Sequence, residues 1–367
     1  MKFTKLSLIA ALAVSAAVAG GDIVEIPQAP AVEACNDNTT INGKLQGYYI
    51  TDDSNDDMFG DDSQLGLAAT LDVSHKFNDW LTANFSAVGY VNAMKQPNLF
   101  YMESNKNGAF FNVANLTATF GDTTFVAGRQ LLDTPMLGGF DWLLAPGAFE
   151  AYTLVNKSIS NVTLIGSYVA KWRPNNSGDN FINLADNGDN WALGAVYSDA
   201  FNASLWYYNV DAGNYTQVYA DAGVTMAGVE LAAQYAGTEY DTLADSTAYG
   251  VKIATTVANF NLSAAYNHTE DNVAGFVGKD AMYTSSWNIF AATDLGDSFK
   301  VAASTEYAGV NIELSYADYE TAGEEFDLIL GYAATKCISF DAVYTNTAYN
   351  ETMDNVNALE LVATYKF

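Results

Sequence analysis

From Thr40 to Phe367 the chain repeats one unit, a segment of about ten residues with alternating apolar and polar side chains, followed by a turn or polar loop. Leu65, Leu67, Ala69, Leu71 and Val73 fall on one face, with Gln64, Thr70, Asp72 and Ser74 on the other. Phe260, Leu262, Ala264 and Tyr266 alternate with Asn261, Ser263 and Asn267, and Val310, Ile312, Leu314 and Tyr316 with Asn311, Glu313 and Ser315. The last segment, ALELVATYKF, sets Leu359, Leu361, Ala363, Tyr365 and Phe367 against Glu360, Thr364 and Lys366, with Val362 the exception. Period two is the mark of strands whose two faces meet different surroundings. A chain that ends on an aromatic residue within a strand gains little from water, so an apolar medium must receive it.

Half of the residues are hydrophobic and 13% aromatic, yet the mean hydropathy is only +0.01. Beyond the first residues no apolar run reaches the ~18 that a membrane helix needs. A closed transmembrane barrel reconciles these numbers, because lipid-facing and water-facing residues alternate and no backbone edge is left unpaired. Six prolines suit a ladder in which Pro cannot donate. Short turns near 75–80, 120–123, 157–161, 198–202, 226–229, 257–260, 308–310 and 335–339 alternate with longer polar loops. The expected architecture is an all-β antiparallel barrel of about eighteen strands, with sixteen or twenty as alternatives. Ser285–Asp294 is the segment that would add a strand. Tyr48, Tyr49, Trp80, Tyr90, Trp172, Trp191, Tyr207, Tyr208, Tyr332, Tyr344 and Tyr365 lie near strand ends, where interfacial girdles form. The alternative is the packed interior of a β-sandwich.

The N-terminus reads as a secretory signal: Lys2 and Lys5, an apolar run from Leu6 to Val14, and Ala17-Val18-Ala19 as a cleavage site. The alternative is an uncleaved anchor. This divides the chain into a signal peptide (1–19), a periplasmic tail (20–39) and the barrel (40–367). Cys35 falls in the tail and Cys337 in the last short turn. Closure brings the first strand beside the last in an oxidising compartment, so a Cys35–Cys337 disulfide is expected.

Fifteen basic and 43 acidic residues give a net charge of −28. No basic patch exists to neutralise phosphates, which argues against nucleic acid as a partner. Much of the acid lies in loops. Asp52, Asp53, Asp56 and Asp57 are candidate oxygen ligands for calcium, although a solvated surface is the plainer reading and no other cofactor is implied.

One connection stands apart. Leu131–Phe149 is punctuated by Pro135, Gly138, Gly139, Pro146 and Gly147, contains Asp133 and Asp141, and is bracketed by Arg129 and Glu150. Only two arginines occur in the chain. Folded into a water-filled barrel, such a loop would set its charges across a narrow gap, the acids favouring cations and Arg129 opposing them. In the alternative, Arg129 pairs with one of these acids and pins the loop.

Within the same stretch, Gly128-Arg129-Gln130, Asp133-Thr134-Pro135 and Phe149-Glu150-Ala151-Tyr152 resemble the pattern of the campylobacterial (epsilonproteobacterial) major outer membrane porin family, distant relatives of OprD-like porins. Gly147 and Ala148 depart from it, since relatives often carry Asn-Thr there. The resemblance implies an eighteen-stranded, typically trimeric barrel with its third extracellular loop folded into the pore. The final Leu361–Phe367 is similar to the strand that the outer-membrane barrel assembly machinery reads, with Tyr365 and Phe367 as the signal. The expectation is therefore a homotrimeric, passive, cation-preferring channel for small hydrophilic solutes, embedded in the outer membrane lipid of a Gram-negative bacterium. A non-conducting adhesin or structural barrel is one alternative. A barrel hydrolase is the other: His268, beside Glu270 and Asp271, is its candidate base, with His75 the chain's other histidine, and no nucleophile motif or zinc-ligand spacing is present.

Overall fold

The computed structural model describes residues 38–54, 57–60, 63–94, 103, 107–350 and 355–367. The signal segment, most of the tail, Asp56 and Cys35, with its pairing to Cys337, lie outside them.

The chain forms β1 (Thr39–Asp52), β2 (Gln64–Lys76), β3 (Leu81–Asn92), β4 (Gly108–Phe120), β5 (Thr123–Gln130), β6 (Ala148–Ile159), β7 (Val162–Arg173), β8 (Ile182–Asn183) and β9 (Asn190–Ser198). It continues with β10 (Asn202–Val210), β11 (Tyr215–Met226), β12 (Val229–Tyr240), β13 (Ser246–Val257) and β14 (Phe260–Glu270), then β15 (Gly296–Tyr307), β16 (Val310–Tyr319), β17 (Gly323–Ala333), β18 (Ile338–Tyr349) and β19 (Val356–Lys366). Each pairs antiparallel with its neighbours, and β1 pairs with both β2 and β19, so the sheet closes. The two-residue β8 only touches the end of β7, which leaves eighteen strands in the wall, as the alternation predicts. Ser285–Asp294 is not a strand; it belongs to the loop after β14.

All the short turns sit at one end of the barrel and the loops at the other. Two of the turns, Ala227-Gly228 and Ala308-Gly309, have positive φ at both residues, the twist that suits a two-residue hairpin. Residues such as Leu67, Phe111, Leu154, Val251, Val301 and Phe340 are exposed on the outer face, in the apolar row of a transmembrane barrel. The inner row is polar, and much of it is covered: Gln217, Asn267, Ser298, Ser315 and Thr345 are buried.

The aromatic residues divide between the faces. Trp80, Tyr207, Tyr332 and Tyr365 are exposed outward, but Tyr48, Tyr90 and Tyr208 are buried inside the barrel. Consecutive residues of a strand point to opposite faces, so Tyr48 and Tyr49, or Tyr207 and Tyr208, cannot both belong to a girdle.

The seam runs in register from Lys44 opposite Lys366 to Asp52 opposite Ala358. Gly43 and Phe367 extend it, each amide donating to the other's carbonyl, at 2.9 and 3.0 Å. A Cβ on Gly43 would stand 2.5 Å from the Phe367 ring and 2.7 Å from the Thr70 carbonyl oxygen. The terminal ring thus lies over a glycine on the outer face and covers the end of the seam. Gly43→Ala is expected to lower the stability of the folded barrel by about 1–3 kcal/mol through overpacking. Denaturant unfolding in detergent, followed by heat-modifiable gel mobility, measures this, and an unchanged midpoint would show that the ring does not depend on the glycine.

Candidate functional site

The loop between β5 and β6 does not cover the barrel; it enters it. Its first half places Leu132, Met136 and Leu137 among Tyr208, Tyr219 and other inward residues of β10 to β12. Its second half places Leu143, Leu144 and Ala145 among Tyr48, Ile50, Val88 and Phe110 of β1 to β4. The loop therefore spans the interior from one side of the wall to the other. Several of its carbonyls find side-chain donors, as buried backbone requires. Asn175 Nδ2 donates to Phe140, Trp142 and Ala145 at 2.9, 3.0 and 3.1 Å, and Asn112 Nδ2 to Pro146 at 3.0 Å.

A second loop, residues 271–295, also folds inward, and the sequence reading did not anticipate it. Ala274, Met282, Ile289, Ala291 and Ala292 are buried against the inner wall. Apolar residues in a connection this long were the available signal. Gln217 Nε2 holds the Gly275 carbonyl at 2.8 Å, and Asn288 reaches Glu325, Thr345 and Thr347 at 2.8 to 3.1 Å. The two loops join backbone to backbone: Gly138 N donates to the Val277 carbonyl at 3.0 Å, and Val277 N to that of Met136 at 2.9 Å. Gly278, at φ +75°, makes this approach possible, since a Cβ there would lie 2.3 Å from the Gly138 oxygen.

Two buried side chains anchor the assembly. Arg173, fully buried at the end of β7, pairs with Glu103 and donates to the carbonyls of Gly178 at 2.7 Å and Pro146 at 3.1 Å. Its guanidinium also lies 4.2 Å from the Phe110 ring centroid. Three loops converge on this one cation. The second anchor, Glu360 of β19, accepts from Tyr48, from Trp142 Nε1 at 3.2 Å and from Trp287 Nε1 at 2.8 Å.

Of the four expected constriction residues, Asp133 and Asp141 are on the inward loop with open side chains, 80% and 71% exposed. Asp133 meets Lys279 of the second loop, and Asp141 lies 4.0 Å from Lys44 on the inner face of β1. Arg129 and Glu150 lie elsewhere. They are opposite each other in register and share parity with the exposed Phe125, Tyr152 and Leu154, which puts them on the outer face. There Arg129 pairs with Asp179 at 3.3 Å and stacks 4.0 Å from the Phe181 ring, while Glu150 takes Lys171 at 3.2 Å. Arg129 does pin a loop, but the loop is 174–189 and its partner is none of the three expected acids. Proximity in sequence to the inward loop does not fix a strand residue's face; only the register does.

The remaining candidates are dispersed. Asp52 caps Ser54 N at 3.0 Å, Asp53 holds Asn357 N at 2.7 Å, and Asp57 caps Phe59 N at 3.2 Å. Among the described residues no three His, Cys, Asp or Glu side chains gather around a point that could hold a cation. His75 Nδ1 is 2.8 Å from Thr39 Oγ1. His268 faces Asp297 at 2.6 Å through Nδ1 and Glu270 at 3.3 Å through Nε2, so a second carboxylate stands at the ring nitrogen where a hydrolase would place its nucleophile.

No family pattern and no curated protein matches the chain. Solved structures do. Over 90% of this chain, the fold is similar to that of Pseudomonas aeruginosa OpdK, with 98% of that chain covered, TM-score 0.77 and 15% identity. P. aeruginosa OccK9 (OpdG) matches with TM-score 0.76, 16% identity and 98% of its chain covered, and Acinetobacter baumannii OccAB3 with 0.76, 12% and 99%. These likenesses show the fold.

Burial, outweighing the adjacent Arg173 guanidinium, pushes the Glu103 carboxyl up to about 7 from 4.5. The docked state therefore holds the proton more tightly than the undocked one. Docking is complete in strength below about 4.5 and weakens as pH rises through about 7. The Gly178 amide donates to Glu103 at 3.2 Å, so its hydrogen-exchange protection, corrected for intrinsic rate, should fall between pH 5 and 8. Glu103→Gln should remove this dependence; equal protection across the range in the parent would reject it.

Proposed function

We propose that the protein is an outer-membrane porin, a passive diffusion channel for small hydrophilic solutes and ions. The observation that carries this reading is the closed, polar-lined barrel narrowed from within by two joined loops whose open charges, Asp133 and Asp141, face recessed lysines. Solutes move down their gradients, the two loops limit their size, and the charges bias which ions enter. The fold likeness to a BenF-like porin from Pseudomonas fluorescens Pf-5, TM-score 0.76 at 12% identity, supports the same reading.

Cation preference follows from exposure. Asp133 and Asp141 present most of their carboxylates to solvent, whereas the side chains of Lys44 and Lys279 are 20% and 35% exposed. On the short-turn side, Glu306, Glu313 and Asp341 line an open cavity. Acidic walls of this kind raise local cation concentration. The N-terminal segment supports secretion and the Tyr365–Phe367 end supports delivery by the barrel assembly machinery. Assembly of three copies, and affiliation with the campylobacterial porins, rest on the resemblance at Gly128–Tyr152.

Purified protein in a planar bilayer should show stepwise conductance, with a reversal potential of cationic sign in a potassium chloride gradient. Asp133→Asn combined with Asp141→Asn should move that potential toward zero and leave the channel open. A folded barrel without conductance would overturn the porin reading, and an unmoved potential in the double variant would remove these two acids from selectivity.

A further inference from the structure

Glu360 is 4% exposed, in the middle of the last strand, and it makes no ion pair among the described residues. Its carboxylate instead takes three neutral donors from three different elements. One oxygen receives the Trp287 indole of the 271–295 loop, and the other receives both the Trp142 indole of the 131–147 loop and the Tyr48 hydroxyl of β1. A buried carboxylate demands such donors, since leaving one oxygen bare there is costly. Both inward loops thus end their reach across the barrel on the same group.

The position of that group matters as much as its chemistry. Glu360 stands opposite Ile50 across the seam, and Tyr48 lies on the same inner row of β1, opposite Val362. The acceptor and its wall partner therefore come from the first and last strands of the barrel. They meet only when the sheet has closed.

From this geometry we infer that Glu360 is the positioning residue of the channel: a latch that holds both loops in the bore and is completed by barrel closure. The inference rests on the channel reading above. With the carboxylate present, the loops are fixed at their far ends and the bore keeps its narrow width. Without it, Trp142 and Trp287 lose their shared acceptor, both loops retreat from the seam, and the bore widens.

The test compares the parent, Glu360→Ala, Glu360→Gln and a Trp142→Phe, Trp287→Phe double variant in planar bilayers. Heat-modifiable mobility first confirms that each barrel is closed. Single-channel conductance should rise about two-fold or more in Glu360→Ala, with larger uncharged solutes admitted, because a wider bore passes more current. Glu360→Gln keeps one carbonyl acceptor and turns an amide toward the other indole, so it should fall between. The double variant leaves Glu360 and Tyr48 at the seam and removes only the loop donors; it should reproduce the widening even if Glu360→Ala fails to fold. A folded Glu360→Ala or double variant with parental conductance overturns the inference. Should the parent itself not conduct, the channel reading fails first, and acrylamide quenching of tryptophan decides the latch: greater quenching in Glu360→Ala upholds it, and equal quenching overturns it.

Discussion

Closure of the sheet is the condition on which everything else in this molecule rests. In a hydrocarbon medium an unpaired backbone amide or carbonyl costs several kcal/mol, so β1 and β19 must find each other along their whole length. They do, from Asp52 opposite Ala358 down to the Gly43–Phe367 pair, where the terminal ring lies over a residue with no side chain. Once the ring of strands is closed, alternation sorts every wall residue to one side or the other. The outer row is then apolar and the inner row polar without further instruction.

A closed wall of eighteen strands creates a second problem, because wall side chains alone fill only a barrel of about eight. Here the interior is partly filled by chain that leaves the wall and returns inside it. The 131–147 loop brings its own leucines and methionine, and 271–295 brings alanine, methionine and isoleucine. They pack on inward tyrosines and small residues, so the barrel acquires two hydrophobic cores on an otherwise polar surface. The tyrosines serve this arrangement well: the Tyr208 ring joins a core while its hydroxyl reaches Thr134 at 3.2 Å.

Each inward loop also carries backbone that must be satisfied away from bulk water, and this is where the polar inner row is used. Asn112, Gln217 and Arg173 of the wall, joined by Asn175 of the loop after β7, donate to loop carbonyls, while Glu325 accepts a loop backbone N–H and Glu360 two loop indoles. The inner face of a barrel thus acts as a set of sockets for its own loops. The carboxylates of Asp133 and Asp141 stay mostly exposed at the surface of the plug, although each also meets a lysine, Lys279 and Lys44.

The alternation in segments such as Leu65–Val73 and Val310–Tyr316, the spacing of the turns and the low mean hydropathy determined an antiparallel barrel with about eighteen strands and long loops at one end. They could do so because a strand's two faces are decided by local order, residue by residue. The glycines and prolines of 131–149 likewise marked a loop able to fold back. What local order cannot convey is which distant residues share a height and a face. Arg129 and Glu150 looked like rims of the inward loop, yet register turned both outward. The Tyr48 and Tyr208 positions looked interfacial, yet parity with their neighbours turned them inward. The roles of Arg173 and Glu360 were silent for the same reason, since Glu103, Trp142 and Trp287 lie 70 or more residues from them in the chain, and the 271–295 loop showed its apolar residues but not the wall positions that receive them. The sequence by itself determined the wall; the tertiary structure decided the bore, because its width and charge depend on contacts that exist only after the first strand has met the last.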